Sequence, residues 1–373
     1  MAATEDERYR QSSQFRLWSF SPSTLEDLRA KTNLLAQQQI APQFPTDAQP
    51  EFLTSSEEAQ LVRFFTTELI RAAQFCELPT EIRATAAVFL RRFYITNSVM
   101  TYPPTELLKT CLFFGCKAEG FYIRLAKLAE MFPNTTGEQI LAGEFLLCQS
   151  MRFAFDVRHP FRALEGAILE LRRRRSSSSS MNAEGGGGEQ ARINRAHARA
   201  REVLKFSPLL TDAYFHYTPS QIMMAALLMV DRELVDELVP PTPAGDATGR
   251  EMRQKIMSTI ESCRAMLEEE PPERMQEYWG TPEIVKSMKP LRKKLQKCRD
   301  TNRADLVALQ KARREQSQAA PAAKDKDKDK DKDKDKKASV LADGAVFGES
   351  MADLRDSKRR KMEGANDLFG PAL

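Results

Sequence analysis

Residues 217–222 read YTPSQI, and the same pattern stands earlier in the chain at residues 102–107 as YPPTEL. Each copy has a tyrosine, a proline two residues later, a hydroxyl residue, Glu or Gln, and an aliphatic residue. Each copy leads into a run that is apolar almost all the way round, at 107–116 and at 222–230. A helix that is apolar on every side is surrounded by other helices. The pattern therefore predicts a duplication, with two helical bundles of about 100 residues each.

The sequence on both sides of these runs also indicates helices. Thr218 can cap a helix start, and Pro219 then takes the favoured first helical position. Capping-box spacing recurs at Ser23 with Glu26, Thr54 with Glu57, and Thr135 with Glu138. Apolar residues repeat at intervals of three and four, as in Ile82, Ala86, Phe89 and Phe93. Since no sustained alternation of period two occurs, the predicted fold class is all-α.

Changes in composition divide the chain into segments. The Arg/Ser/Gly-rich stretch 172–188 and the Lys-Asp alternation 324–337 have too little apolar content to offset the entropy lost on ordering. We expect an amino-terminal segment with one helix at 1–50, a first bundle at 51–156, a second bundle at 157–270 that contains the 172–188 insertion, a carboxyl-terminal helix at 271–315, and a disordered Lys-Asp and basic tail at 316–373.

Composition excludes several classes of protein. The chain has 56 basic and 52 acidic residues, a formal charge of +4, which is not the charge of a polycationic nucleic-acid coat. No run approaches the ~20 apolar residues of a bilayer-spanning helix, and residues 1–10 are polar, unlike a signal peptide. We therefore expect a soluble intracellular protein with no membrane partner.

The sequence offers little from which a catalytic or metal site could be built. The six cysteines form no Cys-x-x-Cys pair, and no phosphate-binding loop, Gly-x-Ser-x-Gly or kinase motif set is present. His159, His197 and His216 have no accompanying partner motif. We expect no catalytic residue, no cofactor and no bound metal.

Two charged residues stand where apolar ones are expected. Lys117 ends the apolar run 107–116, and Glu144 shares one helical face with Ile140 and Leu147. In one interpretation Lys117 is a favourable cation at a helix carboxyl end and Glu144 reaches past the core to water. In the other, both protrude at the rim of a groove and bind the backbone of a partner. Periodicity alone leaves both interpretations open.

Two basic clusters require an interpretation. No aromatic residues interleave with the arginines at 172–175, which favours a solvated helix end over RNA binding or import. The second cluster, in the polar tail, consists of Lys358, Arg359, Arg360 and Lys361. A short basic cluster in an accessible tail is a candidate nuclear import signal.

With these features, the chain resembles the cyclin family, and within it most closely the cyclin H group, over roughly residues 12–300. The most specific stretches are SSQ at 12–14 through WSFS at 18–21, RFY at 92–94, NSVM at 97–100, CK at 116–117, and LTDAY at 210–214 continuing into YTPSQI at 217–222. The resemblance implies an all-α fold of two tandem five-helix cyclin boxes, with extra N-terminal and C-terminal helices.

The same resemblance implies a function and a set of partners. The chain would be a non-catalytic subunit that binds and activates a cyclin-dependent kinase of the activating class. A RING-finger assembly factor would join them in the kinase module of general transcription factor IIH, in the nucleus, with contact to other TFIIH subunits only indirect. The targets would be kinase activation loops and the C-terminal repeats of RNA polymerase II. By position, Lys117 and Glu144 match the two family residues that contact the kinase.

The sequence departs from the wider family at two places. Arg91 stands where many cyclins have aspartate, so their buried Arg-Asp pair is not expected here. Residues 61–65 read LVRFF and lack the Met-Arg-Ala-Ile-Leu patch that recruits Arg-x-Leu substrates, so such docking is not expected either.

A second class uses the same helical repeat, namely DNA-binding transcription initiation factors of the TFIIB type. That class carries an amino-terminal zinc ribbon, whereas the first cysteine here is Cys76. We therefore keep this class as the alternative and expect no direct sequence-specific binding of nucleic acid.

Overall fold

The computed structural model describes residues 5–178, 186–241, 246–280 and 282–319. Within these ranges the chain forms α-helices and short 3-10 turns and no β-strand, which confirms the all-α prediction. None of the helices in this part of the chain is long and apolar enough to cross a membrane.

The amino-terminal segment contains three α-helices, whereas the sequence predicted one. They are α1 (Glu5–Gln11), α2 (Ser13–Trp18) and α3 (Pro22–Ile40), followed by 3-10 turns at Ala41–Gln43 and Thr46–Ala48. The Ser21 hydroxyl accepts a hydrogen bond from the Thr24 amide and caps α3, two residues before the predicted cap at Ser23. The cap lies at Ser21 because Pro22 occupies the first helical position, where a missing N–H costs nothing.

The first bundle consists of six helices. They are α4 (Ser55–Phe75), α5 (Thr80–Thr96), α6 (Pro104–Ala118), α7 (Leu125–Glu130), α8 (Gly137–Ala142) and α9 (Glu144–Ser150). Helix α6 contacts α4, α5, α8 and α9, and its residues from Leu107 to Cys116 are buried almost without exception, as predicted for the centre of a bundle. The capping box at Thr54 is present as predicted, and the next one lies at Thr136 with Gln139, one residue after the predicted pair.

The second bundle has the same plan around α14. Its helices are α10 (Phe161–Ser178), α11 (Gly186–Leu204), α12 (Ser207–Leu210), α13 (Ala213–His216), α14 (Pro219–Leu228), α15 (Arg232–Leu238) and α16 (Ala247–Glu268). Helix α14 contacts α10, α11, α15 and α16. A capping box of Thr218 and Gln221 begins it, and Pro219 takes the first helical position, as the sequence indicated.

Both ends of the predicted flexible insertion at 172–188 are helical. Helix α10 continues to Ser178 and α11 begins at Gly186, and residues 179–185 lie outside the described residues. The four consecutive arginines at 172–175 are paired within the bundle. Arg172 donates to Asn194, Arg173 and Arg174 pair with Glu170, and Arg175 pairs with Glu237. The four arginines therefore lie near the end of a helix, as the sequence predicted.

The two bundles are joined at Asp212, which precedes α13. Its carboxylate accepts two hydrogen bonds from Arg29, at 2.7 and 2.8 Å, and one from Arg91 at 2.5 Å. Arg91 also donates to the carbonyl of Leu209 at 2.9 Å. Where many cyclins have aspartate, this chain therefore has an arginine that binds an aspartate of the other bundle. Both guanidinium groups lower the pKa of Asp212, despite its burial.

Several short helices form the carboxyl-terminal region, whereas the sequence predicted one helix at 271–315. They are α17 (Glu273–Gly280), α18 (Pro282–Ser287), α19 (Lys289–Cys298) and α20 (Leu306–Ala319). The predicted disordered tail at 316–373 begins with residues that belong to α20. The Lys-Asp alternation and the import candidate at Lys358, Arg359, Arg360 and Lys361 lie outside the described residues.

Candidate functional site

Lys117 lies in the last turn of α6, as the sequence predicted. Two further hydrogen bonds close this helix end, from the Gly120 amide to the Lys117 carbonyl at 3.2 Å and from the Phe121 amide to the Cys116 carbonyl at 2.8 Å. This is a Schellman motif, in which the residue after the cap adopts the left-handed conformation. Gly120 has φ of +69° and meets that requirement without the strain a side chain would add. The glycine therefore sets the direction in which the chain leaves α6.

Glu144 is the first residue of α9, immediately after a break at Gly143. The sequence suggested one continuous helical face through Ile140, Glu144, Leu147 and Met151. The structure divides that stretch between α8 and α9, yet the three apolar residues are fully buried and Glu144 lies at the edge of the buried surface. A carboxylate in the first turn of a helix interacts favourably with the helix dipole.

The turn between α8 and α9 is held against α6. The Thr110 hydroxyl donates to the carbonyl of Ile140 at 2.8 Å. A Cβ atom at Gly143 would lie 2.9 Å from the Thr110 oxygen, so only glycine allows this approach without a shift. Since the turn before α9 is held against α6 here, the backbone positions of Lys117 and Glu144 are fixed relative to each other.

The structure brings Lys117 and Glu144 together. The Lys117 ammonium lies 2.5 Å from a Glu144 carboxylate oxygen, and 4.8 Å from the centre of the Phe113 ring. The two side chains are 47% and 24% exposed, respectively. An ion pair this accessible stabilises a fold by only about 0 to 1 kcal/mol. The ion pair can therefore break at little cost in free energy, and each group can then bind a polar group of a partner.

Exposed aromatic rings surround this pair along the chain, and sequence reasoning missed them. Phe121 and Tyr122 follow α6 and are 40% and 84% exposed, while Phe145 in α9 and Phe153 just after it are 53% and 63% exposed. Large exposed apolar side chains in one region mark interaction surfaces. The available signal was their position, since all four lie at the ends of the two helices that carry Lys117 and Glu144. We call these six residues the α6–α9 corner.

A column of rings supports Phe153 from the core. Phe89 contacts Phe114 at 5.7 Å between ring centres, Phe114 contacts Phe155 at 4.9 Å, and Phe155 contacts Phe153 at 6.4 Å. Phe153 itself has φ of +55° and its amide donates to the Cys148 carbonyl at 3.0 Å. A non-glycine residue in this region costs of order 1 kcal/mol, so the surrounding structure must impose it. The exposed ring is therefore preorganised.

The three histidines are used structurally. His159 lies between the Tyr214 hydroxyl and the Thr85 hydroxyl, each at 2.8 Å, and Thr85 donates in turn to Glu119 at 2.5 Å. Burial and the charge of Arg92 lower the pKa of His159 to about 3, so the ring is neutral at pH 7. His197 contacts Glu165, and His216 contacts the Phe20 carbonyl. No group of side chains in the described ranges has the composition of a metal site.

Comparisons with known proteins point to one family. The model of the cyclin C-terminal domain matches residues 159–268. The protein named Cyclin CCL1 of Saccharomyces cerevisiae is 31% identical over 247 residues, which are 62% of this chain and 60% of that protein. The matched region thus spans less than two thirds of that relative's length.

Two solved structures cover more. The chain is 50% identical to a chain in the structure of the CAK complex of Chaetomium thermophilum bound to ATP-gamma-S, with a TM-score of 0.76, over 89% of this chain and all of that one. It is 30% identical to a chain in the yeast TFIIK (Kin28/Ccl1/Tfb3) complex, with a TM-score of 0.55, over 69% of this chain and all of that one. DNA-binding initiation factors of the TFIIB type are the alternative to the cyclin family that the sequence left open. These matches favour the cyclin family.

Proposed function

The chain belongs to the cyclin family, and on that premise we propose that it binds a cyclin-dependent kinase and switches it on through the α6–α9 corner. The all-α fold with two bundles, each centred on one buried helix, supports this proposal, as does the likeness to chains of the CAK and TFIIK complexes. The domain boundaries that we propose are 51–156 for the first cyclin box and 157–270 for the second.

The observation that carries the proposal is the accessible pair Lys117 and Glu144, on two helices whose ends also carry exposed aromatic rings. A kinase helix that docks there would cover the apolar rings, and its backbone would supply carbonyls for Lys117 and amides for Glu144. Hydrogen bonds to a charged group are worth about 1.5 to 3 kcal/mol each. Since the internal ion pair is weak, breaking it removes little of that gain.

Activation would be a shift of population in the kinase. A protein kinase is active when the glutamate of its mobile regulatory helix pairs with the nucleotide-binding lysine. A rigid surface that binds only this arrangement favours it by the difference in affinity between the two states. A shift from 1:99 to 99:1 requires about 5.5 kcal/mol. The two charged contacts, together with the buried rings, are of the right size.

The partners and the location form the finer part of the proposal. The likeness to chains of the CAK and TFIIK complexes supports a kinase of the activating class as the partner. The TFIIK complex contains Tfb3 beside Kin28 and Ccl1, which supports a third subunit, and we propose that this subunit is a RING-finger assembly factor. In that setting the substrates are kinase activation loops and the repeats of RNA polymerase II, within TFIIH and in the nucleus. The chain itself would contribute no catalytic group.

The decisive experiment is to purify the chain with the kinase that accompanies it and to assay the kinase with and without the chain. Replacing Lys117 and Glu144 by alanine should reduce activation at least tenfold at subsaturating concentration, because both charged contacts are lost. Thermal melting of the isolated chain should move by less than about 3 °C, since the pair is exposed.

A matched control is available in the second bundle. Arg232 and Glu261 form an exposed ion pair at 3.1 Å between α15 and α16. Replacing both by alanine removes the same charges and should leave activation unchanged. If this control impaired activation as much as the Lys117 and Glu144 variant, or if neither variant did, the α6–α9 corner would not be the contact.

A further inference from the structure

Helix α19 carries more positive charge than the described residues around it neutralise. The exposed cations on this helix and its flanks are Lys286, Lys289, Arg292, Lys293, Lys297 and Arg299. Of the cations in α19, Lys294 alone is ion-paired to a carboxylate within the described ranges, with Glu51 at 2.5 Å and Glu57 at 2.9 Å. Like charges this close repel one another, so the cluster does not stabilise the fold.

A cavity of about 120 Å³ lies beside this helix. Its apolar lining includes Phe65, Val99, Met100, Pro104 and Leu295. Its polar lining includes Arg292 of α19 and Arg299 just after that helix, together with Thr101 before α6 and Thr105 in its first turn. Since a water needs roughly 10–15 Å³ by this measure, the cavity has room for an aliphatic or aromatic side chain.

The carboxylate of Asp300 also lines the cavity, and within the described residues its ion pair is with Arg303, at 3.9 Å, and not with Arg292 or Arg299. One of its oxygens accepts hydrogen bonds from the Asn302 amide at 2.8 Å, the Gln43 side chain at 3.0 Å and the Arg303 amide at 3.2 Å. Arg292 contacts an aromatic ring, with its guanidinium 6.0 Å from the centre of Phe64. Both arginines that line the cavity therefore keep donors available to an anion.

We propose that α19 and this cavity form a docking site for an acidic peptide segment of a partner protein. An apolar side chain of the segment enters the cavity, and the carboxylates on either side of it bind Arg292, Arg299 and the neighbouring lysines. Because the surface is positively charged, it favours a negatively charged partner. The apolar lining of the cavity favours a peptide over a nucleic acid, because the backbone of a nucleic acid has no apolar side chain to bury. The site uses neither Lys117 nor Glu144, so it is independent of the proposed kinase contact.

The test measures fluorescence anisotropy of a labelled peptide with the sequence EDELFDEE on the full-length chain. Binding should saturate and weaken as salt is raised, because the carboxylates act at an exposed surface. Changing Arg292→Glu together with Arg299→Glu should weaken binding about tenfold or more. As a second variant, Lys293→Glu with Lys297→Glu alters two exposed side chains of the same helix, and should weaken binding in the same direction even if the arginine variant folds poorly.

Two controls test whether the charge of the chain and of the peptide is sufficient for binding. Arg250→Glu with Lys255→Glu makes the same change in charge at exposed positions of α16 and should leave the affinity within about twofold. A peptide with serine in place of leucine and phenylalanine should bind about tenfold more weakly, because nothing fills the cavity. A basic Arg-x-Leu peptide should not compete.

Three results would overturn the proposal. They are equal binding by the wild-type chain and both α19 variants, equal binding of the serine peptide, and competition by a short DNA duplex at the same concentration as the unlabelled peptide. The last result would assign α19 to nucleic acid instead.

Discussion

Helices α6 and α14 begin alike and end differently. Both follow the Tyr-x-Pro pattern, both have proline in the first turn, and both bury most of their residues. Helix α6 then runs to Ala118, and the residues beyond it expose Phe121 and Tyr122. Helix α14 stops at Leu228, and Asp231 begins the next helix by accepting a hydrogen bond from the Leu234 amide at 3.2 Å.

The end of α14 is closed by its own bundle. Arg192 of α11 donates to both oxygens of Asp231, at 2.6 and 2.7 Å, and this contact lowers the pKa of the Asp231 carboxyl. When the two repeats are aligned, Arg232 occupies the position in the second bundle that Lys117 occupies in the first. Arg232 is paired with Glu261. The comparison teaches that the repeated residues specify a bundle with a buried central helix. What distinguishes the first bundle, and what we propose binds the kinase, lies in the residues after that helix.

The strongest test of this comparison concerns the part that the bundles share. Leu112 of α6 and Leu227 of α14 occupy corresponding positions, and both are 0% exposed. Changing either to alanine should lower the free energy of unfolding by about 2 to 5 kcal/mol, because each substitution leaves a cavity at the centre of a bundle. Denaturant unfolding followed by circular dichroism measures this loss.

Leu34→Ala is the matched control, because that leucine is 54% exposed on α3 and its loss should change the free energy of unfolding by less than about 1 kcal/mol. If one of the two central leucines proved as tolerant as Leu34, the bundles would not be equivalent in packing.

The shared part was also the predictable part. The buried runs at 107–116 and 222–230 could be recognised because burial imposes a pattern on neighbouring residues. The sequence also identified Lys117 and Glu144, one by one, as charges at the edge of apolar faces. Their pairing could not be predicted, because it depends on the close approach of α8 and α9 to α6 at Gly143. The hydrogen bonds of Asp212 with Arg29 and Arg91 connect residues that are far apart in sequence, so no local pattern indicates them.

A second test concerns the residues that the bundles do not share. Phe153→Ser removes an exposed, preorganised ring of the α6–α9 corner, and should weaken kinase binding by about 2 kcal/mol, roughly thirtyfold, as for an anchor residue. Stability should change little, because the ring is 63% exposed. Titration calorimetry with the purified kinase measures the affinity.

Phe75→Ser is the control for this test. That ring is even more exposed, at 72%, but lies at the end of α4 and outside the α6–α9 corner. Its removal should leave the affinity unchanged. Equal losses from both substitutions would indicate a general effect of surface hydrophobicity, and the comparison between the two helix ends would then lose its functional meaning.

Three of the four exposed rings, those of Phe121, Tyr122 and Phe153, could not be predicted from periodicity. A helical pattern identifies which residues face the core, and residues beyond the end of a helix have no such periodic constraint. Phe121 and Tyr122 follow the Schellman motif of α6, and Phe153 owes its direction to a left-handed conformation that its sequence does not require. Short helices were missed for the same reason, since α1 and α2 have too few turns to establish a period.

The smallest expected effect tests the joint between the bundles. His159 connects Thr85 of the first bundle with Tyr214 of the second, and the pKa of His159 in the folded chain is lowered to about 3 from 6.5. Between these values the unfolded chain binds a proton at this ring and the folded chain does not. The stability that the neutral ring contributes is therefore present above pH 6.5 and is lost as the pH falls.

Lowering the pH from 7 to 5.5 should thus reduce the free energy of unfolding by about 1 kcal/mol through this group. His159→Gln can keep hydrogen bonds to both hydroxyls but does not titrate, so its stability should change less over the same interval. The carboxyl of Asp212, whose pKa is lowered below 3.8, stays ionised throughout this interval and does not contribute. Equal pH dependence of the wild-type chain and the glutamine variant would show that protonation of His159 does not open the joint between the bundles in this range.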